Sequence, residues 1–124
     1  MARLTTAQAD TMLAAAFPSA TTFYLALFTT DPGTTGASGE VTGGSYARQA
    51  IVFGTPASGS TSSTDAQTFT NLPAEAGGIG YFGIFSAATA GTYGGGGTVS
   101  GLSGSLPAGI TVTFAIGGVT LSLA

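Results

Sequence analysis

From residue 21 onward, apolar and polar positions alternate in short runs separated by stretches rich in glycine, serine and threonine. A period of two with turn signals between the runs predicts short β-strands. "TTFYLALFTT", residues 21–30, places Phe23, Leu25 and Leu27 on one face and Tyr24, Ala26 and Phe28 on the other. Both faces are apolar, so this strand is expected to be central or covered on both sides. "DPGTTGASGE", 31–40, is a loop by its Asp-Pro pair and its glycines. "SYARQAIVFG", 45–54, is a second strand, with Tyr46, Arg48, Ala50 and Val52 alternating with Ala47, Gln49, Ile51 and Phe53. A Ser/Thr tract over 55–72 leads into a short strand around Phe69, and "GGIGYFGIFSA", 77–87, is a further strand. The glycine-rich stretch 91–109 is expected to hold one short strand near 99–102. Residues 110–124 alternate again, interrupted at Gly117-Gly118 by a tight turn or a bulge.

Only the beginning of the chain departs from this period. In "LTTAQADTMLAAAF", residues 4–17, Leu4, Ala7, Met12, Leu13, Ala16 and Phe17 trace a helical stripe, read as a packing face. Thr5 or Thr6 can cap this helix, Gln8 has capping-box spacing from Thr5, and Pro18 ends it. The expected fold is therefore mainly β: an antiparallel β-sandwich, jelly-roll-like or barrel-like, with one N-terminal α-helix. A length of 124 residues suits a single domain, with the helix at 4–17 and the sandwich over 21–124.

Composition narrows the function. Charged residues make up only 6% of the chain, with two arginines or lysines against five acids. Two cations cannot supply the clustered charge that nucleic-acid binding needs, so no nucleic-acid partner is expected. No window approaches the roughly 18 apolar residues of a membrane helix, and the helix carries no basic polar face, so no membrane partner is expected either. A surface built from Ser, Thr and Gly packs readily against another protein because few charges need desolvating. That composition favours a chain that lives inside an assembly.

The inventory for catalysis is thin. With no histidine and no cysteine, the commonest bases, nucleophiles and transition-metal ligands are missing. Asp31 and Glu40 could approach each other across their loop as paired carboxylates or, with loop carbonyls, as calcium ligands. Acids that fasten a loop or face solvent are the commoner outcome. "GGGG" at 94–97 lacks the Gly-Lys-Ser/Thr ending of a phosphate loop. No enzyme, cofactor or metal is expected. Tyr24, Tyr46, Tyr81 and Tyr93 could form a sugar-binding platform, though packing is the commoner use of such rings.

Arg48 stands among apolar strand residues, and a buried guanidinium must be paired. Asp31 ends the preceding strand and Glu40 ends the loop. The three are read as a structural clasp, in which Arg48 reaches one of the acids or loop carbonyls and fastens the loop to the sheet.

The same residues carry a resemblance. "FYLALFTTDPGTTGASGEVTGGSYARQAIVFG", followed by "GYFGIFSAATAGTY" and the terminal "VTLSLA", resembles a family of small bacteriophage virion proteins. The family's members are described as tail-fibre or minor structural proteins and are similar to head decoration or cement proteins. The resemblance implies a non-enzymatic structural role and offers no catalytic residue. It implies self-association, as a homotrimer, and binding to the major capsid protein or to tail proteins, in a chain made in the host cytoplasm. Decoration of the outer capsid surface is the favoured expectation, because the chain has no long shaft-forming repeat. A tail-associated or fibre-tip module contacting host glycans is the alternative. Candidate interface residues are Leu4 and Met12 on the helix, with Thr34, Thr35 and Tyr46 in and beside the loop. Where the family has an aliphatic or aromatic segment after its "AATGG" turn, this chain has "TYGGGGTVSG", so that edge strand is expected to be short or absent.

Overall fold

The computed structural model describes residues 5–122. The protein is mainly β with antiparallel pairing and, among the described residues, a single helix near the N-terminus, as the sequence predicts. The chain forms two compact units, each assembled from discontinuous segments.

One unit holds the residues up to Thr22, Ile51–Gln67 and the chain from Phe114 onward. Helix α1 spans Thr6–Ala16. Its N-cap is Thr5, whose hydroxyl accepts the Gln8 N–H at 3.2 Å, and at its end the Phe17 N–H donates to the Leu13 carbonyl at 2.7 Å. The buried stripe is narrower than expected. Ala9, Leu13 and Phe17, one i, i+4 row, are buried, while Ala7, Met12 and Ala16 are exposed. Leu4, assigned to that stripe and to a possible interface, lies outside the described residues. The Phe17 ring meets Phe53 edge-on at 5.7 Å, and Asp10 accepts the Gly59 N–H at 2.8 Å, tying α1 to the turn before β3.

Strand β3, Ser60–Ser62, arises inside the Ser/Thr tract 55–72, where the sequence predicts a strand only around Phe69. It pairs antiparallel with β8, Thr120–Ser122, with Thr61 opposite Leu121. Its polar residues enter a strand because their side chains are satisfied locally. The buried Thr61 hydroxyl donates to the Gly54 carbonyl at 2.6 Å, and the Ser62 and Thr120 hydroxyls meet at 3.1 Å.

The other unit comprises Phe23–Ala50 and Thr68–Thr113. It contributes most of the four-stranded sheet of order β2-β1-β5-β6, with β1 at Thr22–Phe28, β2 at Gln49–Val52, β5 at Tyr81–Phe85 and β6 at Tyr93–Thr98; Thr22, Ile51 and Val52 count with the first unit. β1 is interior to the sheet, and Leu25, Ala26, Leu27 and Phe28 are all fully buried, as its two apolar faces require. β5 runs antiparallel to both β1 and β6, with Ala26 opposite Gly83 and Gly83 opposite Gly96. Strand β4, Gln67–Phe69, pairs with β7, Val112–Phe114, and the Thr68 and Thr113 hydroxyls meet at 3.3 Å. The Gly117-Gly118 pair is a turn, closed by the Gly118 N–H on the Ala115 carbonyl at 2.8 Å. It does not close a hairpin, because β7 pairs with β4 and β8 with β3.

Two expectations about strands need correction. The second strand covers only Gln49–Val52 of the predicted 45–54, because Tyr46 and Arg48 leave the ladder to bind loop groups. The stretch "YGGGGT" is itself a six-residue edge strand, neither short nor absent, and the strand lies before 99–102 rather than over it. The glycine run fits β5 closely. A Cβ at Gly96 would fall on the Phe82 carbonyl oxygen and the Tyr93 hydroxyl, and one at Gly83 would lie 2.8 Å from the Phe28 ring and 2.9 Å from the Tyr93 ring. The Tyr93 ring thus occupies space that only glycines leave open.

Candidate functional site

The 29–48 connection between β1 and β2 does not wander. The Thr29 N–H donates to the Gly39 carbonyl at 2.8 Å and the Val41 N–H to the Leu27 carbonyl at 2.9 Å, so residues 39–41 run back along the end of β1. This return sets Glu40 opposite Phe28.

Arg48 meets Glu40 there in a two-pronged pair. Its Nη2 donates to Oε1 at 2.9 Å and its Nε to Oε2 at 2.9 Å. Parallel charge-assisted bonds of this kind are among the strongest polar contacts in proteins. The Arg48 Nη1 donates to the carbonyls of Ala87 at 3.0 Å and Ala90 at 2.8 Å, across 39 and 42 residues of chain. The guanidinium carbon lies 3.7 Å from the centre of the Phe85 ring, a cation–π contact. Tyr46 completes the cluster. Its hydroxyl donates to Glu40 Oε2 at 2.8 Å and accepts the Leu27 N–H at 3.1 Å, while its ring stacks on Phe69 at 5.9 Å. Arg48 therefore joins the 29–48 loop to the 86–92 loop over the aromatic face of the sheet.

Asp31, grouped with Glu40 and Arg48 by sequence, is engaged elsewhere. It accepts the Gly33 N–H at 2.8 Å, closing its own turn. The loop carbonyls that Arg48 reaches belong to the 86–92 loop and not to the loop that Glu40 ends, and the Phe85 ring is a further partner. Nothing local signals them, since a carbonyl acceptor can belong to any residue.

The charges are set by these contacts. Burial pushes the Glu40 carboxyl up, but hydrogen bonds from Arg48 and Tyr46, with the Arg48 charge, outweigh it and hold the group below its ordinary value of 4.5. Burial, with the Glu40 contact, pushes the Tyr46 hydroxyl well above its ordinary value, against the Leu27 N–H. The Glu40 bond raises Arg48 further, against burial. A depressed carboxylate contributes stability above its unfolded value and loses it as pH falls through the folded value. Thermal unfolding midpoints are thus expected to drop on acidification below about pH 4.5, and Glu40→Gln is expected to flatten that limb. Identical acid limbs in the two proteins would overturn this assignment.

Beside the clasp, an open groove of about 500 Å3 runs between the 31–34 turn and β6. Tyr81 and Tyr93 lie on its β side, and both pack against the buried cluster of Ala26, Phe28 and Phe85. The Tyr93 hydroxyl approaches the Gly33 carbonyl at 3.4 Å across the groove. Burial first, and then the Asp31 charge, raise the Tyr93 hydroxyl above its ordinary value. Of the residues proposed as an interface, Thr34 and Thr35 are exposed and Thr34 lines this groove, while Met12 is 49% exposed on α1. Tyr46 is only partly exposed, and its hydroxyl is bound inside the clasp.

A family model described as Podophage GP4 fiber I protein gp80 matches residues 3–122. The chain belongs to this fibre-protein family. The match covers both units and both clusters just described. No curated protein matches the chain. Membership makes this gp80-family chain a structural protein of the phage particle. Glu40 is ion-paired, and Asp10, Asp31 and Asp65 each accept a backbone N–H. Among the described residues, no three acids cluster closely enough to hold a metal ion, and no helix is long and apolar enough to cross a membrane.

Proposed function

We propose that this gp80-family protein is a non-catalytic module of the fibre apparatus of a podophage virion. In this reading it self-associates as a homotrimer and docks on neighbouring tail proteins. The observation that carries the proposal is the match to a fiber protein over 3–122, nearly the whole chain. The low charge adds support, since a surface of hydroxyls and glycines buries against protein at little desolvation cost. Closed symmetry is the common form for such an assembly. The clasp suits the role, because a loop tied at both ends keeps a fixed shape when it forms part of a contact.

Decoration of the outer head surface by docking on the major capsid protein is the second reading. It rests on the compact units and the absence of a shaft-forming repeat. Quantitative mass spectrometry of purified virions separates the two. A copy number far below that of the shell subunit, in multiples of three, is the expected result. Parity with the shell subunit would favour decoration, and absence from the particle would overturn both.

A further inference from the structure

We propose that the outer edge of β6 is a docking edge, on which an extended, basic segment of a neighbouring particle protein adds as a further strand of the sheet. β6 is the last strand in the order β2-β1-β5-β6 and pairs on one side only, with β5. The Val99 N–H donates to the Gly80 carbonyl at 2.8 Å. Alternation along an antiparallel ladder then turns the backbone groups of Gly97 and Gly95 toward β5, and those of Thr98 and Gly96 away from it. Exposure follows the same alternation: Gly94, Gly96 and Thr98 are exposed, while Gly95 and Gly97 are half-buried. Among the described residues, the backbone of 94–98 makes no hydrogen bond outside its pairing with β5. Free edges are normally blunted by lysine, proline or an inward-pointing charge. This chain has no charged residue after Glu75 and no proline between Pro73 and Pro107. The Tyr93 ring lies over Gly83 and Gly96 on one face, so what β6 leaves open is its edge and not that face.

The chemistry beside the edge selects the occupant. The outward residues are glycines and one threonine, so recognition runs through the backbone, and the incoming segment supplies the β-branched side chains itself. Asp31 lines the same strip as residues 94–98, and no cation does. One Asp31 oxygen accepts the Gly33 N–H, and the other has no partner among the described residues. A fitting segment therefore brings a lysine or arginine within reach of Asp31 and no acid there. A second copy of this chain does not meet that requirement. Its one basic side chain among the described residues is Arg48, already bound to Glu40 and to the Ala87 and Ala90 carbonyls.

This inference rests on the fibre reading only for where the neighbour comes from, the phage particle. The test titrates the purified, isotope-labelled full chain with a short blocked peptide of alternating threonine and valine around a central lysine. One companion peptide carries glutamate in place of the lysine, and another carries N-methyl groups on all its amides. NMR shifts report the affinity and the place of binding, and amide exchange reports the new ladder. The lysine peptide is expected to bind and to slow exchange of the Gly96 and Thr98 amides by about tenfold or more. The glutamate peptide is expected to bind about threefold or more weaker, a difference that Asp31→Asn removes. The N-methylated peptide is expected not to bind. Thr98→Pro removes an outward N–H at an edge position that tolerates proline, and is expected to abolish binding with the fold intact. Should that variant unfold, the N-methylated peptide makes the same test on the unaltered chain. The proposal is overturned if the lysine peptide does not bind at millimolar concentration, if the N-methylated peptide binds as tightly, or if the shifts map away from β6. It is also overturned if the Gly96 and Thr98 amides of the free chain become protected as its concentration rises, since the occupant is then a second copy. Because no virion is involved, failure here leaves the particle copy number, and the reading it tests, untouched.

Discussion

Arg48→Ala is expected to destabilise the protein by about 2–4 kcal/mol and to open two loops at once. The guanidinium makes two bonds to Glu40 and two to backbone carbonyls, with its side chain only 10% exposed. Removing it leaves the Glu40 charge with the Tyr46 hydroxyl alone and leaves the Ala87 and Ala90 carbonyls without their donor. Thermal unfolding should report a midpoint lower by roughly 10 °C, and limited proteolysis should find new cuts within 33–39 and 86–92. Arg48→Lys keeps the charge but lacks the planar fork, so it is expected to restore only part of the stability. A midpoint within a degree or two of wild type, with unchanged proteolysis, would show that the cluster fastens nothing.

Gly96→Ala is expected to lose about 3 kcal/mol or to prevent folding. The added methyl would meet the Phe82 carbonyl of the paired strand, and a backbone atom in a ladder cannot swing aside as a flexible side chain can. The Tyr93 hydroxyl would also lie 2.8 Å from the added carbon. Gly80→Ala is the control. Its Cβ would meet nothing within 4 Å, and a change of less than about 1 kcal/mol is expected there. Equal, small effects at the two positions would mean that β6 does not lie against β5 as described.

The glycine strand also shows where local reading stops. Alternation predicts β1 and β5 well, because apolar side chains record which face is buried. "GGGG" carries no side chains and hence no period, and its propensity argues for a loop. Its extended form is imposed by β5 alongside and by Tyr93 across it. The Ser/Thr strand β3 is illegible for a related reason, since its polar side chains find partners only once Gly54 and Thr120 are in place.

The candidate clasp divides in the same way. That Arg48 needs a partner is legible from its apolar neighbours, and Glu40 is within reach along the chain. Which acid it takes depends on the return of residues 39–41 along β1, while Asp31 is held by its own turn. The sequence by itself determined a mainly β chain with one capped helix, a doubly buried first strand, a thin catalytic inventory and an arginine in need of an acceptor. Those are properties of single residues and of periods two to four residues long. Only the tertiary structure decided that Ala87, Ala90 and Phe85 receive that arginine, that the glycine run is an edge strand, and that Tyr81 and Tyr93 share a groove with Asp31. Each of these depends on atoms brought together across tens of residues of chain, by strand pairing that no local pattern encodes.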